Sequence, residues 1–236
     1  MKKLTIIIPV LNEAANLELL YKELVKVLPV NSGLLFIDDA SEDSSITILE
    51  KIKRKDENIK ILRFQERVGL GASVLAGIRA SQSETILVMD SDLTHNPNDI
   101  PRILKGLDLA SLVIGSRYVK GGSMQPYTLY MTSKIFAETL RLVFKIKTHD
   151  IFGGFLAFRR TDFLEFFIDR NFQGFGEFSM KMCLFAEIKN LSIQEIPSVF
   201  RPRGGGVKKS QRMKMFCDYL LSTAHYKLDI RRNFKT

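Results

Sequence analysis

The sequence contains little cysteine and no long apolar run. Its two cysteines, Cys183 and Cys217, lie far apart, and their spacing matches neither a disulfide framework nor a zinc site. We therefore expect reduced thiols and a cytoplasmic protein. No segment approaches the roughly 20 apolar residues that a membrane-spanning helix requires, and the apolar run 4–9 is too short for a secretory signal. Contact with a membrane is therefore expected to be peripheral or to depend on a membrane-protein partner.

Internal repeats and low-complexity tracts are also missing, so the 236 residues fit one large domain with a substantial core. Hydrophobic residues make up 45% and charged residues 26%, an ordinary balance for a globular protein. The net charge of +9 indicates an anionic partner, such as a nucleotide, a nucleic acid or acidic lipid headgroups. Nucleic acid is disfavoured because RNA-binding signatures with stacking aromatic residues are missing.

The first half of the chain alternates short apolar segments with amphipathic ones. Such alternation predicts an α/β fold with a mostly parallel, twisted sheet and helices on both faces. The predicted strands are 4–10, 34–37, 59–63, 85–89 and 110–115, and the predicted helices are 13–28, 44–55, 72–81 and 98–107.

The second half is less regular. It predicts a long helix over 127–144, a strand near the sheet edge over 152–158, helices over 161–168 and 176–187, and a late strand over 191–196. A glycine-rich basic loop, 201–210, and a helix-like tail with interleaved cations, 212–232, follow. The tail fits either the interface of an anionic membrane or packing against the domain, and the pattern leaves both open.

Two aspartates, Asp90 and Asp92, follow the predicted strand 85–89. Ligands of open α/β sheets bind beyond the carboxyl ends of the strands, where this pair is expected to lie. Carboxylates one residue apart suit Mg²⁺ or Mn²⁺, which complete their shell with water and phosphate oxygens. The pattern alone also fits an acidic turn that caps the helix beginning near Asn96 and Pro97.

The first two strands end in polar segments that are expected to lie beside each other. Asp39 is placed to accept hydrogen bonds from a ribose or a base edge, the role that acidic residues have in dinucleotide folds. A local alternative is that Asp39 and Ser41 form only turn hydrogen bonds. Asp43 is expected to cap the next helix.

Arginines and glycines mark three loops. Segment 67–72 lacks the third glycine of a dinucleotide fingerprint, so we interpret it as a glycine turn at the start of a helix. Arg117 follows the strand after the acidic pair, where it is placed either to neutralise a departing phosphate or to lie exposed in a turn. The basic loop 201–209 carries four cations and fits a lid that closes over an anionic substrate.

Taken in order, these segments resemble the inverting family 2 glycosyltransferases, and within them the dolichol-phosphate mannosyltransferase-like group of polyprenyl-phosphate sugar synthases. The resemblance covers nearly the whole chain as far as residue 210. The matching segments are 7–13, 37–43, 69–71, 89–97, 115–122, 150–155 and 203–209.

The resemblance implies a GT-A-like domain over 1–210, followed by a basic amphipathic helix, 211–236. Its halves are a nucleotide-sugar-binding half, 1–118, and an acceptor half with the basic lid, 119–210. The positions that match nucleoside-binding residues are Pro9, Leu11, Glu13, Ile37 and Asp39. The positions that match metal- and diphosphate-binding residues are Asp90, Ser91 and Asp92. Arg117, Arg203 and Lys209 match cationic positions around the diphosphate and the acceptor phosphate. The implied catalytic residues are Asp92, Arg117, Arg203, Lys209 and Asp150, the last in one motif with Gly154 and Phe155.

Three positions depart from the group's pattern. Leu11 stands where tyrosine is frequent, and Thr94 replaces a glutamine that often joins the metal shell. Val207-Lys208 replaces a frequent Glu-Ser pair. The donor therefore stays open between GDP-mannose and a UDP-sugar, and Asp90, Asp92 and Thr94 are the expected metal ligands.

The implied activity is metal-dependent, inverting transfer of a hexose from a nucleoside-diphosphate sugar to a polyprenyl or dolichyl monophosphate at the cytoplasmic membrane face, with Mg²⁺ or Mn²⁺. A phosphate acceptor is already anionic and needs no strong base, so positioning and charge neutralisation would supply most of the acceleration. An alternative acceptor, a sugar hydroxyl of a cell-surface polysaccharide, requires a base, for which Glu177 and Asp150 are the candidates. A nucleotide-binding module without turnover is the third hypothesis.

Overall fold

The computed structural model describes residues 3–173, 176–204 and 219–228. This part of the chain contains nine strands. They are β1 (Leu4–Val10), β2 (Ser32–Asp38), β3 (Ile59–Arg63), β4 (Thr85–Val88), β5 (Leu112–Ser116), β6 (Ser123–Met124), β7 (Leu156–Arg159), β8 (Ile193–Pro197) and β9 (Val199–Phe200). Seven of them form one sheet in the order β3-β2-β1-β4-β7-β5-β8, while β6 and β9 pair with each other in a separate parallel ribbon.

Helices join the strands and cover the sheet. They are α1 (Ala14–Leu24), α2 (Ser45–Lys53), α3 (Leu70–Ala80), α4 (Ile100–Gly106), α5 (Tyr127–Phe144), α6 (Glu177–Ile188) and α7 (219–228). Short 3-10 helices lie at Pro97–Asp99, Arg160–Phe166 and Asp169–Asn171. The predicted strands 4–10 and 59–63 and the predicted helix 127–144 are confirmed with the same bounds.

Alternation along β1 sends neighbouring side chains to opposite faces of the sheet. Ile6 and Ile8 lie in a core formed with α1, α2 and α4, whereas Ile7 lies in a second core formed with α3, α5, α6 and α7. All three side chains are fully buried. The sheet is therefore covered on both faces, which confirms the predicted α/β fold class.

The strand β7 lies elsewhere than its pattern predicts. The expected position near the sheet edge was wrong, because β7 runs antiparallel between β4 and β5 in the middle of the sheet. Leu156, Ala157 and Phe158 are almost fully buried, as a strand with a neighbour on each side and helices on both faces requires. Segment 152–155, expected to belong to the strand, instead precedes it and passes close to the Asp90 side chain at Gly154.

The described part of the tail, α7, packs against the domain. Tyr219 is buried beside Phe152, with ring centroids 5.1 Å apart, and Tyr226 is buried edge-on to Phe166 at 6.2 Å. Packing on the domain is therefore confirmed for this segment, and the rest of the predicted helix 212–232 lies outside the described residues. Among the helices of the described ranges, none has the length and apolar character needed to cross a membrane.

Candidate active site

The loops after β1, β2 and β4 meet at the carboxyl edge of the sheet, as predicted. Asn12 links the first two loops, because its N–H donates to Ser41 Oγ (3.0 Å) and its Oδ1 accepts from the Glu42 N–H (2.8 Å). Ser91 Oγ donates to the Pro9 carbonyl (2.8 Å), which joins the third loop to the first. The predicted positions that meet here are 9–13, 37–41 and 90–92.

Asp39 is buried at the end of β2 and uses both carboxylate oxygens within the protein. Oδ1 accepts from the Val68 N–H (2.7 Å) and Oδ2 from the Gly69 N–H (3.0 Å). Gly69, at φ +90°, precedes α3 in a conformation that favours glycine, which confirms the predicted glycine turn. Each carboxylate oxygen has a further lone pair that could accept a hydrogen bond from a nucleoside. The role of Asp39 as a nucleoside ligand stays a prediction.

The other residues of these two loops differ in what they expose. Leu11 is half-buried, whereas Ile37 is fully buried and its side chain packs toward Gly77 of α3, so only the Ile37 backbone faces the site edge. Asp43 Oδ1 accepts from the Ser45 N–H (2.9 Å) at the start of α2. Asp43 precedes the N-cap residue Ser44, whose own side chain makes no capping bond, and from there it satisfies the first N–H of α2.

Asp90 and Asp92 flank a serine in the loop after β4, residues 89–96, which we call the acidic loop. Asp92 Oδ1 accepts from both the N–H and the hydroxyl of Thr94, at 3.1 and 2.6 Å. Leu93 has φ +66°, a costly value for a residue other than glycine and one that is typical of functional loops. Thr94 thus orients Asp92, while its own contact with a metal stays a prediction.

The helix-capping alternative belongs to Asn96 and not to the two aspartates. Asn96 Oδ1 accepts from the Asn98 N–H (3.2 Å) at the start of the 3-10 helix Pro97–Asp99. The Asp90 and Asp92 carboxylates lie before this cap and open toward the cleft.

His95, which the sequence pattern did not indicate as a site residue, holds the acidic loop from its buried side. Its ring is buried, stacks on Phe155 at 4.9 Å and meets Phe200 edge-on at 4.6 Å. Nδ1 accepts the Asp90 N–H (3.0 Å), which requires an unprotonated Nδ1. Burial lowers the pKa of His95 and so favours this neutral ring.

The paired aspartates fit a hard divalent cation. The Asp90 side chain is 41% exposed and that of Asp92 15%, so Asp90 is the more accessible of the two. The partial burial of Asp90 and the nearby Asp92 charge raise the pKa of Asp90, and an added cation would oppose this rise. Within the described residues no cluster of three or more acidic, histidine or cysteine ligands is found. Two carboxylates suffice for Mg²⁺ or Mn²⁺ when water and phosphate oxygens complete the shell.

Arg203 crosses the mouth of this cleft. Its guanidinium pairs with Asp92 Oδ2 (3.2 Å) through Nη1 and with buried Glu13 through Nη2. The backbone runs along the acidic loop, because the Arg201 N–H donates to the Thr94 carbonyl (2.9 Å). The first residues of the predicted lid therefore lie on the aspartates, and Lys209 lies outside the described residues.

Arg117 lies behind the cleft in an ion pair with Asp150. Asp150 Oδ1 accepts from Nη2 (2.6 Å), and Oδ2 accepts from Nε (2.8 Å) and from the Arg117 N–H (2.9 Å). The Arg117 guanidinium also lies 4.9 Å from the ring centroids of Tyr118 and Phe200. The structure thus joins two of the predicted catalytic residues, and it excludes the exposed-turn alternative for Arg117, whose side chain is only 11% exposed.

Comparison with known families decides the class of protein. The sequence model described as glycosyl transferase family 2 matches residues 5–167. The chain belongs to glycosyl transferase family 2.

Several similar proteins have names that describe mannose transfer to polyprenyl phosphates. The chain is 30% identical to the dolichol-phosphate mannosyltransferase of Pyrococcus furiosus over 92% of this chain, but it spans only 62% of that relative. It is 30% identical to the polyprenol monophosphomannose synthase of Mycolicibacterium smegmatis, covering 86% of this chain and 79% of the relative. For the undecaprenyl-phosphate mannosyltransferase of Micrococcus luteus the identity is 31%, with 89% and 87% covered. The predicted group and the class of enzyme, a glycosyltransferase, are confirmed.

The family 2 fold is shared with glucosyl-3-phosphoglycerate synthase of Mycobacterium tuberculosis. The structure of that enzyme with Mn²⁺, UDP and glucosyl-3-phosphoglycerate has a TM-score of 0.66 at 14% identity, covering 95% of this chain and 80% of that one. Its complex with Mg²⁺ and UDP has a TM-score of 0.68, with 95% and 79% covered. At this identity the similarity concerns the fold alone, and it confirms the predicted GT-A-like domain.

Proposed function

We propose that this family 2 glycosyltransferase transfers a hexose, with inversion, from a nucleoside-diphosphate sugar to a polyprenyl or dolichyl monophosphate at the cytoplasmic face of a membrane. The names of the relatives support a lipid phosphate as acceptor and mannose as the sugar. The observation that carries the proposal is the ion pair of Asp92 with Arg203 (3.2 Å), two residues from Asp90, at the carboxyl edge of the sheet.

The donor is proposed to lie across the loops after β1 and β2. The hydrogen bonds of Asn12 hold these loops together, so the nucleoside positions form one surface. Leu11 offers the base an aliphatic side chain, which is compatible with either GDP-mannose or a UDP-sugar. The proposed nucleoside contacts are Pro9, Leu11, Glu13, Asp39 and the backbone of Ile37.

The diphosphate is proposed to lie over the acidic loop. A bound Mg²⁺ or Mn²⁺ supplies Lewis-acid polarisation of the departing diphosphate. Asp90 and Asp92 would hold the cation, with Asp92 oriented by its two hydrogen bonds from Thr94. Arg203, partly exposed at the cleft mouth, is placed to neutralise charge that grows on the leaving group. Lys209 is proposed for the same task.

The condition of the two candidate bases favours a phosphate acceptor over a sugar hydroxyl. Glu177 is buried, its Oε2 accepts from the Gly176 N–H (3.0 Å), and it stabilises the charge of buried Lys181. Asp150 is fully buried in its ion pair with Arg117. Neither carboxylate lies open to a substrate hydroxyl, and a phosphate monoester needs no such base.

Peripheral contact with the membrane is proposed for the surface formed by α5 and α7. These helices touch, because the rings of Phe136 and Tyr219 lie 6.1 Å apart. Residues spaced by about four along α5 share one face, and cations such as Lys134 and Lys145 lie beside it. A helix face of this kind suits an anionic bilayer surface. The exposed apolar side chains of α5 are Tyr127, Met131, Ile135, Leu142 and Val143, and those of α7 are Leu221 and Leu228.

The experiment that tests the function incubates the protein with polyprenyl phosphate, Mg²⁺ or Mn²⁺, and a panel of GDP- and UDP-sugars. We expect one donor to yield a polyprenyl-phosphate hexose of inverted anomeric configuration. Product formed only when a polysaccharide acceptor replaces the lipid would favour the hydroxyl-acceptor alternative. Donor binding without turnover on either acceptor would favour the nucleotide-binding module.

A further inference from the structure

The carboxylate of Glu195, on β8, holds the turn at residues 149–150 from outside the site. Oε1 accepts from the Asp150 N–H (2.9 Å), and Oε2 accepts from the His149 N–H (2.8 Å) and lies 3.0 Å from His149 Nδ1. The Glu195 side chain is only 11% exposed, so water competes little for these bonds. One side chain therefore fixes two consecutive peptide units.

The second of those peptide units carries Asp150, whose carboxylate in turn fixes Arg117. Asp150 has no solvent exposure and accepts three N–H groups of Arg117. A shift of the Asp150 backbone therefore moves the guanidinium, since all three bonds share one carboxylate.

The guanidinium continues this line of contacts into the acidic loop. It lies over Phe200, Phe200 meets the His95 ring edge-on, and His95 Nδ1 accepts the Asp90 N–H. The contacts thus run without a gap from the edge strand β8 to the proposed metal loop.

We propose that Glu195 is a positioning residue for glycosyl transfer, acting through Asp150 on Arg117. The inference rests on the proposed function for its kinetic part. The side-chain hydrogen bonds of Glu195 go to residues 149 and 150, so its loss is expected to change where the guanidinium lies and to leave the loops after β1 and β2 intact.

The chain offers a matched control in Glu187 of α6. Its Oε1 accepts from the Lys147 N–H (2.6 Å) and the Thr148 N–H (3.4 Å), two residues upstream of the turn that Glu195 holds. Glu187 makes the same kind of contact but does not bond Asp150. Glu195→Gln keeps the size of the side chain and turns one acceptor oxygen into an N–H₂ group that faces N–H donors.

The structural arm follows the Nε–H resonance of Arg117 by NMR, because that group donates to Asp150. We expect Glu195→Gln to shift or broaden this resonance and Glu187→Gln to leave it in place. An unchanged Arg117 resonance in folded Glu195→Gln would overturn the proposal, whether or not the protein transfers sugar. If Glu195→Gln does not fold, Glu195→Asp, which keeps the charge and loses the reach, takes its place.

The kinetic arm measures kcat for transfer and, separately, the affinity for nucleoside diphosphate with Mn²⁺. We expect Glu195→Gln to lower kcat about 10- to 100-fold, the range for lost supporting hydrogen bonds at metal sites, with nucleotide affinity within about twofold. Glu187→Gln should keep kcat within about twofold. In an Arg117→Lys background, Glu195→Gln should lower kcat by less than a further factor of about two, because the contact of Asp150 with the Arg117 guanidinium is already lost. Equal losses in both backgrounds would show that Glu195 does not act through Arg117.

Discussion

At the scale of single residues, the Arg117–Asp150 pair is the most tightly determined feature of the site. The free-energy cost of burying the Arg117 and Asp150 charges is offset only while both are present. Each side chain then supplies hydrogen bonds to the other. The Asp150 charge and hydrogen bonds outweigh desolvation and raise the pKa of Arg117, so the guanidinium stays charged at any physiological pH. Removal of either partner would leave the other buried and uncompensated.

Asp150→Ala is therefore expected to lower the free energy of unfolding by about 3–5 kcal/mol. Urea denaturation measures this, with Asp108→Ala as control. Asp108 is exposed after α4, just before the amino-terminal end of β5 and away from the carboxyl ends of the strands. Its loss should change the free energy of unfolding by less than about 0.5 kcal/mol. Similar values for the two variants would mean that the pair does not contribute as described.

His95 predicts a dependence of stability on pH. Burial holds its folded-state pKa below the unfolded value of about 6.5, so its contribution is complete above that pH and is lost as the pH falls toward the folded pKa. Between about pH 7.5 and about pH 5.5, the wild type should lose more unfolding free energy than His95→Gln, which keeps an acceptor but does not titrate. Parallel stability curves for the two proteins would contradict a neutral buried His95.

At the scale of elements, local patterns located most strands and helices but not their neighbours. The apolar run of β1 and the apolar stripe of α5 could be predicted from sequence, because a strand buried on both faces or a helix buried on one face has a hydrophobic pattern in consecutive residues. The central position of β7 depends on pairing with β4 and β5, which are distant in sequence. The four residues of β7 do not indicate which strands pair with it. Pairing of this kind is set by the whole sheet.

The same distinction holds in the site. Asp90, Asp92 and Asp39 stand at strand ends and could be predicted there from topology alone. His95, Asn12 and Glu195 each hydrogen-bond to groups elsewhere along the chain, and a single histidine, asparagine or glutamate carries no signal of such a contact. Arg117 could be placed near the site from sequence, but its burial behind Asp150 could not.

The docking of α7 gives a prediction at this scale. Thr223 is fully buried against the domain, and within the described ranges its Oγ1 has no hydrogen-bond partner. Thr223→Val removes the desolvated hydroxyl at constant shape and should raise the free energy of unfolding by about 1 kcal/mol. Thr132→Val, on the exposed side of α5, should not stabilise the protein. A loss of stability in Thr223→Val would place that hydroxyl in a hydrogen bond.

At the scale of the whole molecule, we propose that the net charge of +9 and the exposed apolar side chains of α5 and α7 act together on a bilayer. Electrostatic attraction brings the protein to anionic lipid, and insertion of apolar side chains adds affinity. The proposed lipid acceptor would then be presented at the same interface.

Ile135→Glu is expected to weaken binding to vesicles containing anionic lipid by about tenfold or more, since it replaces one inserted apolar side chain with a repelled charge. Vesicle co-sedimentation measures this. Leu109→Glu makes the same change in charge at an exposed leucine near the start of β5 and should bind like the wild type apart from its altered net charge. Equal weakening by both would assign the effect to net charge and not to the α5–α7 surface.

The central claim is that Asp90 and Asp92 hold the divalent cation needed for hexose transfer. The most direct measurement compares single-turnover transfer to polyprenyl phosphate by Asp90→Asn and Asp108→Asn, each titrated with Mn²⁺. The account predicts a loss on the order of 100-fold or more for Asp90→Asn, with wild-type rates and metal dependence for Asp108→Asn. Transfer by Asp90→Asn at the wild-type rate, with the same Mn²⁺ dependence, would contradict it.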